Sequence, residues 1–328
     1  MKVRAMTEEQ IEKMIQRYVD AALFARQCGF GMITLHGGHG WQMHQFISPR
    51  DNKRKDRWGG SVENRMRFPL AVIEAIRKNI GYGVPIEFRM SAAEFLPDGY
   101  ELDEGIAIAK ALDKKVDLLH ISVGHHEIDA ATMRTHPTMF LDDGCNVKYA
   151  EAIKKHVDTP VATVGALTNP EMMEEIIASG KVDIVSLGRQ SLADPDLPVK
   201  ARMRKEEEVM PCIRCFNCFS NSTIDGVFYC AVNPEIGREQ ASMYQTRPLY
   251  KKTVLIAGGG IGGMKEGQHI IEADTVIYAI GQKPLRKEAI ALADCAPEFY
   301  QIGDCVVPDN IYTATSSAYQ AALDFGRF

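Results

Sequence analysis

Cys212, Cys215 and Cys218 stand three residues apart, and Cys230 follows after eleven intervening residues. Thiolates at that spacing can wrap one corner of a metal group, and a more distant fourth can close it. Four-cysteine sites hold zinc or iron–sulfur. Zinc ribbons use two CxxC pairs, whereas this chain has one triple and one single. The pattern therefore favours a [4Fe–4S] cluster over zinc and over unligated thiols. Cys28, Cys145, Cys295 and Cys305 are scattered, and each is expected to be a small buried hydrophobe rather than a ligand.

Histidines supply the second constellation. His36 and His39 sit in the loop HGGHGW, directly after a short apolar run. Histidines at a strand end can be structural, can donate hydrogen bonds or can bind metal. No carboxylate lies nearby in sequence to complete a metal triad. Arg89 closes another apolar run, where it would be costly if unpaired, and a salt bridge is the ordinary solution. His125, His126 and the pair Gly188-Arg189 also follow apolar runs. A third pattern, Gly258, Gly260 and Gly263, satisfies GxGxxG after TVLIA. Such glycines let a backbone approach a pyrophosphate at a helix N-terminus. The continuation KEGQHIIEAD lacks the apolar face of the expected helix, and no acidic ribose ligand is recognisable. A glycine turn without nucleotide is one reading; a discontinuity in the sequence just after Met264 is the other.

These residues need elements to position them. Thr7 and Gln10 form a capping box for a helix ending near Cys28-Gly29, with apolar residues at helical spacing from Ile11 to Leu23. Strands are expected at Gly31–Leu35, Ile86–Met90, Leu118–Val123, Val161–Val164 and Asp183–Leu187. Helices are expected at Asn64–Lys78, Asp103–Leu112, Val147–His156 and Pro170–Ser179. Near-continuous apolar strands alternating with helices imply an α/β fold whose parallel sheet is buried on both faces. The polar residues gather just past the strand ends, where such folds place their chemistry. A (β/α)8 barrel needs more strands than these five, so either the others are missing or the sheet is open. From about Val199 the rhythm breaks, and RMRKEEEVM reads as a charged helix or linker.

Length and composition bound the rest. The 328 residues, 45% hydrophobic and 25% charged, suffice for about two globular domains. A net charge of −5 gives no general attraction to nucleic acid or anionic membrane. No apolar run is long enough to span a bilayer, and the N-terminal residues show no signal segment. The sparse cysteines favour a reducing, cytoplasmic setting. Nucleic-acid and membrane partners are not expected, and association between copies of the chain is left open.

The segment HGGHGWQMHQFISPRDNKRKDRWGGSVENRMRF, with IEFRMS and PVATVGALTNPEMMEEIIASGKVDIVSLGRQSLADPDLP, resembles the Old Yellow Enzyme family of FMN barrels. A cysteine cluster after such a barrel, followed by a dinucleotide region, resembles that family's larger branch. That branch includes 2,4-dienoyl-CoA reductase, 2-enoate reductases, the bile-acid NADH:flavin oxidoreductases and trimethylamine dehydrogenase. The likeness runs from Thr7 to about Arg238, then resumes at Thr253 to Met264 and from Glu272 onward. It implies a TIM barrel lacking its first strands (1–205), a [4Fe–4S] segment (206–240) and a partial Rossmann-like FAD/NAD(P) domain (241–328). It also implies that the chain is a piece of a protein nearly twice as long.

Residue by residue, the resemblance implies that His36 and His39 donate hydrogen bonds to a substrate carbonyl. Trp41 stands where many relatives carry a proton-donating tyrosine, and His126 resembles the catalytic histidine of dienoyl-CoA reductase, with His125 sharing the role. Arg89 would contact the flavin ring, and Gly165, Gly188 and Arg189 would hold the FMN phosphate. Asp304, in YQIGDC, would contact FAD. Asp56 to Phe68 would pin a long loop. The implied activity is NAD(P)H-dependent reduction of the C=C bond of an α,β-unsaturated carbonyl, such as an enoyl-CoA, an enoate or a steroid enone. Electrons would pass from FAD through the cluster to FMN. An amine dehydrogenase or demethylase on the same scaffold is the alternative, and a redox-inactive protein that kept the fold is the non-enzymatic one.

Overall fold

The computed structural model describes residues 4–220, 226–240, 244, 254–257, 275–278, 286–296 and 298–324. Two compact units emerge: Met1–Gly188 with Lys200–Glu207, and Arg189–Val199 with Glu208–Phe328.

The first unit alternates strands and helices. Its elements are α1 (Glu8–Gln27), β1 (Ile33–Gly37), α2 (Gln42–Ile47), α3 (Val62–Arg65), α4 (Arg67–Ile80), β2 (Ile86–Ser91), α5 (Leu102–Leu112) and β3 (Leu118–Ser122). They continue with α6 (Asp129–Thr135), α7 (Val147–Lys154), β4 (Val161–Val164), α8 (Pro170–Ala178) and β5 (Ile184–Ser186). The capping box at Thr7 forms as the sequence predicts, each side chain bonding the other residue's backbone N–H. The helix expected from Asn64 starts earlier and breaks at Met66, giving α3, capped by Ser61, and α4.

All five strands pair in parallel in the order β1-β2-β3-β4-β5. Right-handed crossovers between sequential parallel strands put every crossover helix on one face of the sheet. Leu35, Phe88, Met90, Leu119, Ile121 and Val161 are buried on that face. The expectation of burial on both faces is therefore corrected: only β3 is buried throughout, while Thr34, His36, Glu87 and Arg89 are exposed or half-buried. The register places His36 beside Arg89 and Arg89 beside His120, a row of basic groups across three neighbouring strands.

In the second unit, α9 (Arg189–Ala193) leads toward α10 (Leu197–Arg202), which straddles the division between the units. Arg202 ends α10, and the rest of the charged stretch to Met210 carries a 3-10 turn, Glu206–Glu208. Strands β6 (Val254–Ala257), β7 (Thr275–Tyr278) and β8 (Glu298–Gln301) form a parallel three-stranded sheet. Helix Ile311–Asp324 closes the described chain; its Ala321 packs with Ile302, and Tyr300 lies against them. Gly258, Gly260, Gly263 and the suspected break after Met264 lie outside the described residues. Cys305 is buried and Cys145 half-buried, but Cys28 and Cys295 are exposed, which corrects the expectation for those two. No helix among the described residues is long and apolar enough to cross a membrane.

Candidate active site and cysteine centre

Backbone geometry builds the histidine loop. His39 has φ +62°, a left-handed conformation, and pairs with His125 in an isolated parallel bridge. Gly40 follows at φ +86°, and a Cβ there would lie 2.5 Å from the His125 ring. Only glycine satisfies both demands. The ends of β1, β2 and β3 thereby bring one group of rings together. The ring centroids of His36 and His39 are 4.9 Å apart, and those of His39 and His126 are 5.4 Å apart and stacked. Trp41, 57% exposed, meets His126 edge-on at 5.9 Å. The four residues expected to be catalytic thus lie together.

Their partners limit what each can do. His39 is buried; its Nε2 shares a 2.9 Å hydrogen bond with Ser122 Oγ, and its backbone N–H donates to Ser91 Oγ. Burial, then the positive charge of Arg89, lowers the pKa of His39 strongly and that of His36 to about 4. Both rings are neutral near pH 7, so they act as neutral donors or acceptors. His126 is exposed on its loop, its pKa lowered by partial burial and then by His125 and Arg89. Its Nε2 lies 3.0 Å from Nε2 of His136, which caps the C-terminal end of α6.

Glu87, two residues before Arg89 on β2, bonds His120 Nδ1 at 2.8 Å and also Thr34 Oγ1. Desolvation lowers the pKa of Arg89 while Glu87 opposes that shift. Its Nε is buried without a hydrogen-bond partner. A buried guanidinium N–H left unpaired costs about 1–3 kcal/mol, so it fits a ligand that accepts a hydrogen bond. Gly165, at the end of β4, has φ +129°, and a Cβ there would meet Asn146 Nδ2 at 2.4 Å. Gly188 follows β5 with open space where a Cβ would stand. These features fit a flat, polar-edged ligand at the strand ends.

Sequence reasoning missed a buried network behind the loop. His44 Nδ1 accepts the Gly40 N–H at 2.8 Å, and its Nε2 bonds Tyr100 Oη at 3.0 Å. Tyr100 Oη in turn donates to the Ser91 carbonyl. His125 Nδ1 accepts the Glu127 N–H, and its Nε2 faces Asp51 at 3.4 Å. The His44 imidazole is therefore neutral, with its proton on Nε2. The ligand atoms of His44, Glu94 and His125 lie within 4.8 Å of one another. Every ring nitrogen in that trio already has a hydrogen-bond or ion-pair partner, so the cluster is a positioning network. Only the fold could reveal it, since Glu94 and His125 are distant in sequence from His44. The block after Arg54 pins its loop: Arg65 reaches the carbonyls of Ile47 and Gly60 and the carboxylate of Glu104, and Trp58 Nε1 donates to Glu8.

An open cavity of about 380 Å3 is lined by Ala130, Met133 and Arg134 of α6 together with Phe95, Thr138, Phe140 and Leu141. It is apolar apart from Arg134 and Thr138.

In the second unit, Cys212, Cys215, Cys218 and Cys230 line one common cavity with Arg189 and Phe216. Arg214 and Phe216 both have positive φ, at 54° and 64°, so the backbone curls around Cys215. The loop is anchored by Gln190, whose Oε1 accepts the Cys212 N–H at 2.7 Å and whose Nε2 donates to the Met210 carbonyl at 2.9 Å. Asp194 accepts the Met210 N–H, and Asn233 donates to the Leu192 carbonyl. The guanidinium of Arg189 lies 4.7 Å from the Phe216 ring centre, beside Cys212 and Cys218. Burial raises the pKa of both thiols, and Arg189 opposes it.

A single tetrahedral zinc would draw four sulfurs to about 3.8 Å from one another, given Zn–S bonds of about 2.3 Å. Among the described residues, the trios with ligand atoms within 4.8 Å are His44–Glu94–His125 and Asp51–His125–Glu127, and no three cysteines form one. Four thiols lining one cavity are the donor set of a zinc or an iron–sulfur site. Asp304 sits half-buried on the turn Gly303–Cys305 after β8, where the Gly303 N–H donates to Ser317 Oγ.

Known proteins are similar to this chain over part of their length. The NADH oxidase of Thermoanaerobacter brockii is 43% identical over 265 residues, covering 80% of this chain and 40% of that protein. The cinnamate reductase of Clostridium sporogenes is 34% identical over 279 residues, covering 80% and 41%. A solved 2-naphthoyl-CoA reductase superposes over 98% of this chain and 47% of its own, with TM-score 0.74 and 28% identity. This chain therefore spans about two fifths of the length of these two curated relatives. Residues 1–208, which carry the parallel sheet and the histidine loop, match the model of the NADH:flavin oxidoreductase / NADH oxidase family, and the chain belongs to that family.

Proposed function

We propose that the chain is part of an NAD(P)H-dependent flavin oxidoreductase that reduces the C=C bond of an α,β-unsaturated carbonyl compound. The observation that carries this reading is the row His36–Arg89 with its unpartnered, buried Arg89 Nε, set beside the neutral pair His36–His39. In this reading the first unit is the later part of a (β/α)8 barrel, and Gly165 and Gly188 at its strand ends would hold the FMN phosphate, whereas Arg189 lines the cysteine cavity. The cysteines hold a [4Fe–4S] cluster, and Asp304 with the glycines 258, 260 and 263 belongs to the FAD and NAD(P) region. The bound groups supply the redox chemistry: hydride acceptance from NAD(P)H by FAD, one-electron transfer by the cluster and hydride delivery by FMN.

The chain's own residues do the rest. Arg89 offers a fixed positive charge at a desolvated edge, which favours a ligand that gains negative charge. His36 and His39, kept neutral by burial, polarise a substrate carbonyl without proton loss; Ser122 fixes the orientation of His39. Trp41 covers His126 but does not serve as an acid, because an indole N–H is not released in this pH range. The cavity under Phe95 and Phe140 has room for an apolar acyl or aryl body.

Anaerobic titration tests the reading. The purified protein should be yellow-brown, contain iron and labile sulfide, bleach with NADH or NADPH, and recover its colour on addition of an enone or enoate. Recovery with no enone, together with formaldehyde release from a methylamine, would assign the amine-demethylating alternative instead. A colourless, iron-free protein would overturn both.

A further inference from the structure

We propose that His136 is the positioning residue that charges His126 for proton delivery, the two imidazoles acting as one acid. The inference rests on the ene-reductase reading above and names the source of its proton.

Hydride addition to the β-carbon leaves the α-carbon needing a proton, and Trp41 cannot give one. His126 stands at the end of β3 within 5.4 Å of the His39 ring centre. Its Nε2 is 3.0 Å from His136 Nε2, and the rings stack with centroids 5.1 Å apart. Two nitrogens at that distance require one proton between them, so Nε2 of His126 is held and Nδ1 is the nitrogen left to face a substrate. The groups that face His126 include His39, His36, His125, Arg89 and Trp41. They oppose a charge on His126 itself. His136 is the better place for it: its backbone N–H caps the C-terminal end of α6 by donating to the Thr132 carbonyl, and the helix dipole there favours a cation on its ring.

The step balances as follows. The starting pair is neutral His126, protonated on Nδ1, beside His136 as imidazolium. The α-carbanion takes the Nδ1 proton of His126 and a C–H bond forms. His126 Nε2 takes the proton of His136 Nε2, which becomes neutral. His126 ends neutral with its proton on Nε2, and the pair resets when His126 Nδ1 takes a proton from a solvent hydronium ion while its Nε2 returns a proton to His136 Nε2. The pair thus delivers one proton per turnover while no charge develops on the buried side.

Two measurements decide it. In nitrogen–proton spectra of the histidine rings of the oxidised full chain, His126 and His136 should titrate as one coupled pair. In His136→Gln, which keeps a donor but cannot pass a proton, His126 should titrate alone at a shifted midpoint. The second measurement mixes photoreduced protein with 2-cyclohexenone. Reoxidation of the wild type should slow as pH rises through the midpoint of the pair, because the imidazolium is lost. His136→Gln should be about 10- to 100-fold slower and pH-independent there. His136→Ala should behave alike and be partly rescued by added imidazole. An unchanged His126 titration with wild-type rate and pH profile in His136→Gln would overturn the relay while leaving the ene-reductase reading standing. A wild type that no enone reoxidises would overturn that reading, and the ring titrations would still decide the pairing.

Discussion

Arg89 and the buried histidines set the chemistry at the scale of single residues. Arg89 is neutralised only in part by Glu87, and one of its N–H groups is buried without a partner. A hydrogen bond to a charged group contributes about 1.5–3 kcal/mol. Arg89→Leu should therefore weaken FMN binding by about tenfold to a hundredfold, read by flavin fluorescence quenching. His44 makes a stability prediction. Burial, then the charge of His125, lowers its pKa from the ordinary 6.5 to about 3 in the folded chain. As pH falls below 6.5 the unfolded chain takes up this proton first, so stability declines between 6.5 and about 3. One proton corresponds to a slope of about 1.4 kcal/mol per pH unit. Urea unfolding of His44→Gln should show a pH dependence shallower by about that amount, and an equal slope in both proteins would contradict the assignment.

At the scale of elements, turns and anchors decide where those residues stand. The strand ends alone would not bring His39 against His126; the left-handed turn at His39 and Gly40 does so. Gly40→Ala must push a methyl against the His125 ring in an unfavourable backbone conformation. It should cost about 1–3 kcal/mol and lower the melting temperature. In the cysteine segment, α9 supplies Gln190, whose amide satisfies Met210 and Cys212 at once. Gln190→Ala leaves both backbone groups without it, and the curled loop loses its anchor. Iron and sulfide per chain should fall well below the wild-type values while the far-ultraviolet spectrum of the protein stays unchanged.

Across the whole molecule, two compact units carry different chemistry. One holds the histidine loop and Arg89, the other the cysteines and the smaller sheet. Cys215 is exposed, so Cys215→Ser removes a proposed ligand at little cost in packing. That variant should keep FMN but reduce it with NADH far more slowly than the wild type. NADH reduction of FMN at the wild-type rate in stopped flow would remove the cluster from the electron path. Metal binding energy is also folding energy for the segment that supplies the ligands. Chelation under mild oxidation should therefore lower the calorimetric transition of the cysteine unit and leave that of the histidine unit in place.

Much of this was legible in residue order. The capping box at Thr7, the alternation of apolar runs with helices, and the HGGHGW and cysteine spacings each rest on local chemistry. A short window of sequence contains them whole. The register that sets Arg89 between His36 and His120 could not be read that way, because pairing between strands depends on where each chain segment docks. The same holds for the sheet's open face, for the His44–Tyr100–Ser91 network and for the pairing of His126 with His136. Met66 breaks a periodicity that looked continuous, since the hydrophobic pattern records a buried face and not the place where the backbone turns. Composition and motif spacing thus determined which groups could do redox and acid–base work. Tertiary packing decided which nitrogens are taken, which are free to bind and which charges are desolvated, because those properties belong to neighbours brought from distant parts of the chain.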